Sequence, residues 1–301
     1  MGDVSRRKRW LQPKDWVGLL FSGPLIIGMA AFAVYPMVAA LLLSFQESNG
    51  ISGTWVGLDN YSRIFRDLAF WRALSNTFYM AALSVLLGTF LSFVLASLIN
   101  SLPWNRSKNF FKSIFFLPNV VSAVATSILF SFLLYPENTG LLNYVAGLFG
   151  IEPVGWFTDP AHSRNSMVLL SLWSSLGYNT IIFFAALQSV PKQLYEAAEV
   201  DGADGVKRWW HITIPYVRPI FLFVIIISTI NGMKRFTDVW LIGGTAGNPD
   251  GTLMTAVLYI YRYAFVSSEM GIASAASYIL FLVILVLTGL MLKTNKKASV
   301  D

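Results

Sequence analysis

The sequence predicts an all-α membrane protein that crosses the bilayer six times. Its residues are 55% hydrophobic and 13% charged, whereas about a quarter of the residues in soluble globular domains are charged. Six charge-poor runs are long enough to span, because about 20 apolar residues cross a bilayer. We therefore expect one membrane domain over residues 17–293, with spans near 17–45, 75–99, 113–135, 166–190, 217–242 and 270–292.

The first apolar run indicates an uncleaved span. A basic tail, residues 1–16, precedes a charge-free run from Val17 to Phe45, and the apolar core of a secretory signal is much shorter, about 7–15 residues. Pro24 and Pro36 are expected to kink this helix, because proline lacks the N–H that a helix uses. A short helix lying on the membrane surface is expected around 61–71.

Polar or turn-forming segments separate the remaining spans. Basic residues at 106–112 precede the third span, and Pro191 follows the fourth. The fifth ends in a glycine-rich turn at 243–249, and the sixth leads to a C-terminal tail at 294–301 that contains lysines.

The distribution of basic residues predicts the orientation. Fifteen Lys and Arg residues lie in the N-terminal tail and at 106–112, 192–218 and 293–297, on the side that six crossings assign to both termini. Five lie on the opposite side. Because cytoplasmic loops are enriched in Lys and Arg, we expect cytoplasmic termini and a cytoplasmic loop at 191–216.

The polar loop at 191–216 is predicted to form two short helices. Ala and Glu from Tyr195 to Val200 favour a helix, and Gly202 permits the sharp turn after it. A second helix is expected from about Val206 until Pro215 stops it. Such a knob is a docking shape, and an ordinary amphipathic loop is the alternative.

The residues of this loop resemble the EAA loop in the membrane subunits of binding-protein-dependent ABC importers. The match rests on Glu196-Ala197-Ala198, Gly202, Ile212 and Ile214-Pro215, with Ile214 where leucine is usual. The segments Tyr35-Pro36, Gly57–Tyr61, Phe116–Pro118 and Ala264-Phe265 are similar to the sugar-permease branch. The resemblance implies that the loop couples to an ATPase through Glu196, Ala197, Ala198, Asp201, Gly202, Ala203, Ile212 and Pro215.

The resemblance also implies partners and a location. A second, similar permease subunit, two copies of a cytoplasmic ABC ATPase and an extracytoplasmic binding protein would complete the transporter, in the lipid of a bacterial or archaeal cytoplasmic membrane. ATP and Mg would bind to the partner ATPase, and no cofactor to this chain. The substrate would be a sugar or oligosaccharide.

Several other functions are disfavoured by the sequence. There is no Gly-x-x-x-x-Gly-Lys-Ser/Thr phosphate loop, no His-Glu-x-x-His motif and no serine elbow, so catalytic residues are not expected. The absence of cysteine and the separation of His162 from His211 argue against a metal site. The span centres lack Asp and Glu, which disfavours a self-sufficient secondary carrier. The basic residues sort by loop, which does not suggest nucleic acid.

The substrate path is predicted from polar and aromatic residues inside the spans. Amides suit sugar hydroxyls and aromatic faces suit their C–H surfaces, although the same residues also serve interhelical packing. The candidates are Asn119, Ser122, Trp173, Tyr178, Asn179 and Asn231.

Lys234 and Arg235 are the basic candidates for the same path. They either extend to the outer water, with Asp238 as a helical neighbour of Lys234, or face the cavity and attract an acidic sugar or phosphorylated polyol.

Overall fold

The computed structural model describes residues 13–298, and most of them are helical. Five helices in this part are long and apolar enough to cross a membrane, or six when one bent pair counts as a single span. The all-α membrane fold is therefore confirmed. Of the predicted tails, residues 13–16 and 294–298 extend the first and last helices, and the rest lies outside the described residues.

The first span is continuous but locally irregular. Helix α1 (Pro13–Met29) leads through a π-helical turn (Ala30–Val34) into α2 (Tyr35–Leu43). The π turn directly precedes Pro36, where the missing proline N–H disturbs the hydrogen-bond ladder. A two-stranded antiparallel hairpin, β1 (Gln46–Ser48) and β2 (Gly53–Trp55), follows it.

The predicted surface helix at 61–71 is shorter than expected. Helix α3 covers Asp59–Arg66, and α4 (Leu68–Ser101) begins soon after it. The Asp67 side chain caps α4 by accepting a hydrogen bond from the Ala69 N–H at 2.8 Å. Trp71 therefore belongs to the second span.

The third predicted span, at 113–135, is a bent pair of helices. Helix α5 (Asn105–Val120) and α6 (Ala123–Leu133) meet at 98°. Pro118 lies in the last turn of α5, and Ser122 is extended, with its hydroxyl accepting from the Ala125 N–H at 3.2 Å. Helix α5 therefore ends at Val120, and α6 begins at Ala123 after two extended residues, Val121 and Ser122. The basic residues at 106–112 lie on α5, not in a loop.

Helix α8 packs against several other helices of the bundle. The short α7 (Leu141–Gly147), which we did not predict, precedes α8 (Ser163–Gln188), and α8 packs along α4 and α5. At Gly177 the backbones of α8 and α5 touch, so that a Cβ there would overlap the carbonyl oxygen of Phe115. Glycine is the residue that permits this approach.

The prediction that Pro215 stops a helix is wrong. After α9 (Lys192–Val200), α10 (Gly205–Arg208) continues through a π turn (Trp209–Thr213) into α11 (Ile214–Met233). Pro215 lies in the first turn of α11, where proline is tolerated. As before Pro36, a π turn precedes the proline.

Two short helices and a long one complete the described part of the chain. A break at 234–236 separates α11 from α12 (Thr237–Gly243). The glycine-rich turn then leads to α13 (Ala256–Tyr261), which continues as a π turn (Arg262–Val266) and which we did not predict. Helix α14 (Met270–Ala298) forms the last span.

Two large buried clusters hold the bundle together. One contains Phe70, Met80, Met233 and Leu258, and joins α4 and α11 to α13 and α14. The other contains Phe93, Phe183, Val217 and Val224, and joins the far ends of α4 and α8 to the start of α11. The loop at 191–216 follows directly from the second cluster, which therefore supports it.

Candidate functional site

The turn at Gly202 has the geometry that the sequence predicts. Gly202 has φ +73°, a left-handed conformation that glycine adopts freely. The N–H of Ala203 donates to the Ala198 carbonyl at 2.8 Å, and the N–H of Gly202 donates to the Glu199 carbonyl at 3.0 Å. These two bonds form a Schellman motif, which satisfies the last carbonyls of α9.

A cap begins the second helix of the knob, and an ion pair joins it to the first. The Asp204 side chain accepts a hydrogen bond from the Lys207 N–H at 2.7 Å and so begins α10. Arg208 of α10 pairs with Glu199 of α9 at 3.1 Å. Glu199 is exposed, so this pair contributes at most about 1 kcal/mol and orients the helices more than it stabilises them.

Aromatic contacts join the knob to the transmembrane bundle. The Trp209 ring stacks on Phe93 of α4 with centroids 5.2 Å apart, and its indole N–H donates to Ser97 at 3.2 Å. The hydroxyls of Tyr195 and Thr213 lie 2.9 Å apart, which ties α9 to the π turn. These contacts attach the knob to α4. We did not predict these roles for Tyr195 and Trp209, although a tryptophan pair in a polar loop is a usable signal.

The predicted coupling residues divide between exposed and inward positions. Glu196, Ala197, Asp201, Gly202 and Pro215 are exposed, Ala198 and Ala203 are half-buried, and Ile212 packs against the second buried cluster.

Large apolar side chains are also exposed on the knob. Val200 is 89% exposed, Val206 68% and Trp210 59%. The predicted spans end at 190 and resume at 217, which leaves these residues outside the bilayer, where exposed apolar side chains indicate a protein contact. We call the exposed side chains of residues 194–210 the coupling surface.

A cavity of about 330 Å³ lies among the spans. Ser84, near the middle of α4, lines it together with α8, α11 and the α5–α6 bend. Three carboxamides face it, from Asn119, Asn179 and Asn231, and none has a side-chain hydrogen bond in the described part of the chain. Tyr178 also lines the cavity, as predicted. We did not predict the serines of one α8 face, whose helical spacing is the signal: Ser171, Ser174 and Ser175.

Arg235 lies in the cavity wall, and its partner differs from our expectation. Its Nε donates to Asp238 Oδ2 at 2.8 Å, and its Nη2 donates to the Met167 carbonyl of α8 at 2.7 Å. The prediction that Asp238 neighbours Lys234 is wrong, because α11 ends at Met233 and the helical spacing is lost. Lys234 is exposed and does not line the cavity.

Two other predicted path residues serve the fold. Ser122 caps α6 and is not part of the cavity lining. Trp173 packs edge-on against Phe130, with centroids 5.5 Å apart, in a small third cluster.

Both histidines have local partners. His162 lies 3.0 Å from Asp159, and this contact, together with the Ala161 N–H, lowers the pKa of Asp159; the backbone bond is the larger cause. His211 Nδ1 lies 3.0 Å from the Lys207 carbonyl oxygen. Within the described residues, no three His, Cys, Asp or Glu side chains group in a way that could hold a metal ion.

The sequence matches a known family over most of its length. Residues 88–299 match the family described as "Binding-protein-dependent transport system inner membrane component". The matched range includes the coupling surface and every residue of the cavity lining except Ser84 and Val85.

Individual relatives cover nearly the whole chain. The lactose transport system permease protein LacF of Rhizobium radiobacter is 34% identical over 94% of this chain and 94% of its own length. The arabinooligosaccharides transport system permease protein AraP of Bacillus subtilis (strain 168) is 32% identical over 92% and 87%. A chain in the structure of a bacterial alginate ABC transporter in complex with alginate pentasaccharide-bound periplasmic protein aligns with a TM-score of 0.82, at 26% identity over 92% and 93%.

Proposed function

Because the chain belongs to the family of binding-protein-dependent transport system inner membrane components, we propose that it is the permease subunit of an ATP-driven importer for a sugar or oligosaccharide. The observation that carries this proposal is the pairing of a coupling surface with a polar cavity in one helical bundle. Relatives described as permease proteins of lactose and arabinooligosaccharide transport systems support the substrate class.

The energy for transport comes from a separate ATPase that docks on the coupling surface. Exposed Val200, Val206 and Trp210 provide apolar contact area, and Glu196 and Asp201 provide charge at its edge. ATP and Mg bind to that partner, and this chain acts as a transport subunit without catalytic residues. When the ATPase pair closes on ATP, the knob moves with it, and Trp209 carries the movement to Phe93 of α4. The cavity then changes from inward-facing to outward-facing.

The remaining partners complete the cavity and load it. A second permease subunit, a different chain of similar fold, closes the side of the cavity that this chain leaves open. A binding protein outside the cell delivers the substrate, which the complex between the alginate transporter and a periplasmic protein supports. The chain lies in the cytoplasmic membrane with the coupling surface inside the cell.

Unpaired amides support sugar as the substrate. A carboxamide donates and accepts hydrogen bonds, as a sugar hydroxyl does. Asn119, Asn179 and Asn231 converge on one cavity from three different elements. An acidic sugar is a second candidate, which the similarity to an alginate transporter favours.

Purification and uptake together test the proposal. The chain, expressed with its neighbouring transport genes and purified in mild detergent, is expected to bring down an ATPase and to import a saccharide into proteoliposomes when ATP and binding protein are supplied. An Asn179→Leu/Asn231→Leu variant is expected to keep the ATPase and lose uptake. Uptake without the ATPase, driven by an ion gradient, would contradict the proposal.

A further inference from the structure

We infer that this chain's wall of the central cavity is built for an uncharged saccharide and not for an acidic one. The inference rests on the proposed function and concerns its substrate class. It depends on how the structure uses the charged pair in the wall, Arg235 and Asp238.

The charges of this pair are satisfied within the chain. Arg235 donates Nε and Nη2 to Asp238 Oδ2, and Nη2 also donates to the Met167 carbonyl. The other carboxylate oxygen, Asp238 Oδ1, accepts from the Val239 N–H at 2.9 Å. Within the described residues, these two are the charged side chains that line the cavity, so this wall carries no net charge.

Burial favours the ion pair between Arg235 and Asp238 over the separated charges. The Arg235 side chain is 9% exposed and the Asp238 side chain 15%. An anionic ligand could bind the Arg235 guanidinium only by displacing the Asp238 carboxylate, which would then be buried without a partner. That is strongly unfavourable. A carboxylate or phosphate would also meet Asp238 beside Arg235, and the attraction and repulsion largely cancel.

The groups left free in the cavity are neutral. Ser84 Oγ is buried without a hydrogen-bond partner, and the largely buried Asn179 lines the same cavity. A buried polar group without a partner is unfavourable, so a ligand that hydrogen-bonds these groups is stabilised there. Hydroxyls of a neutral saccharide both donate and accept, as the amides of Asn119 and Asn231 also require.

This assignment separates two classes found among similar proteins. Lactose and arabinooligosaccharides are uncharged, whereas alginate is an acidic polysaccharide. By the chemistry of its wall, this chain belongs with the first class.

Charged thiol reagents measure the potential in the cavity directly. The chain has no cysteine of its own, so Ser171→Cys introduces a single thiol into the lining, one helical turn, about 6 Å, from Met167. In the assembled transporter, the rates of modification by an anionic and a cationic methanethiosulfonate reagent are compared by mass spectrometry of this chain. Their ratio is normalised to a small free thiol.

We expect a normalised ratio within about threefold of one. Adding Asp238→Asn, which leaves the guanidinium charge unbalanced, is expected to raise the ratio at least tenfold in favour of the anionic reagent. Adding Lys234→Gln instead is the matched control and leaves the ratio unchanged, because Lys234 lies outside the lining.

Three results would overturn the inference. One is a preference of tenfold or more for the anionic reagent with Ser171→Cys alone, which decides the matter even if Asp238→Asn fails to assemble. Another is a ratio that Asp238→Asn does not change, and the third is a thiol that neither reagent reaches with or without ATP.

Uptake separates this inference from the proposed function. ATP-driven import of a uronic-acid oligosaccharide in preference to neutral ones would refute the neutral class and leave the importer intact. An assembled, ATP-hydrolysing complex that imports no saccharide would instead refute the proposed function.

Discussion

Replacing Gly202 with valine tests whether the coupling surface depends on one backbone conformation. An L-residue in the left-handed region is destabilised by roughly 1–2 kcal/mol, with a β-branched residue at the upper end. No atom lies within 4 Å of a Cβ built at Gly202, so strain, and not a clash within the chain, sets the effect. At 1.4 kcal/mol for each factor of ten, the ratio of native to non-native turns falls roughly 5- to 30-fold.

Binding of the ATPase measures the fraction of molecules that have the native turn at Gly202. When only a fraction of molecules is competent, the apparent Kd rises by the inverse of that fraction. We expect Gly202→Val to weaken ATPase binding by up to about 30-fold, measured by titrating labelled ATPase onto the transporter in nanodiscs, with membrane expression unchanged.

Asparagine is the matched control at this position, because it tolerates the left-handed region better than other residues with side chains. Gly202→Asn is expected to bind within about threefold of the unmodified chain. Equal binding by the valine variant and the unmodified chain would refute the reasoning, and equally weak binding by both variants would mean that bulk at the docking site, and not turn strain, is what matters.

Two further substitutions test the bundle. Gly177→Ala would place a Cβ against the Phe115 carbonyl and is expected to destabilise the assembled transporter by about 1–3 kcal/mol in a thermal-unfolding assay. Gly289→Ala is the control and is expected to have little effect, because there is open space around Gly289. Equal melting temperatures for the two variants would contradict the close approach of α8 and α5. Arg235→Met leaves the Asp238 carboxylate buried and unpaired and is expected to destabilise the assembled transporter by about 3–5 kcal/mol. Arg235→Met combined with Asp238→Leu removes both charges and is expected to recover most of that loss. A double variant no more stable than the single one would contradict the pairing of Arg235 with Asp238.

The spans and the Gly202 turn could be predicted because they depend on local signals. Apolar length defines a membrane helix whatever it packs against. Likewise, a glycine that follows an Ala- and Glu-rich helix, as at Gly202, is a common helix end. The EAA-like residues predict a coupling loop from a local signal as well, because most of their pattern is contiguous in the sequence.

One error occurred where the effect of a proline depends on the surrounding structure. We expected Pro215 to end a helix, but a π turn before it absorbs the missing hydrogen bond. At Pro118, by contrast, the helix does end, because Ser122 caps a new one at 98°. Neither outcome is encoded by the proline alone.

The cavity could be predicted only in part, because it depends on contacts between distant segments. Asn119, Tyr178, Asn179, Asn231 and Arg235 do line it. The amide residues were sound candidates because their chemistry is unusual inside a span. The pairing of Arg235 depends on the break at 234–236 and on the Met167 carbonyl of α8. No sequence pattern reveals either of these.

Labelling of one cysteine at the coupling surface tests the central claim most directly. Val200 is 89% exposed, and the chain has no other thiol. A Val200→Cys chain is expected to resist an impermeant thiol reagent in intact cells, to react in inside-out vesicles stripped of the ATPase, and to be protected when the ATPase is added back. Labelling in intact cells, or labelling in vesicles that the ATPase does not reduce, would contradict a cytoplasmic coupling surface that receives its energy from that partner.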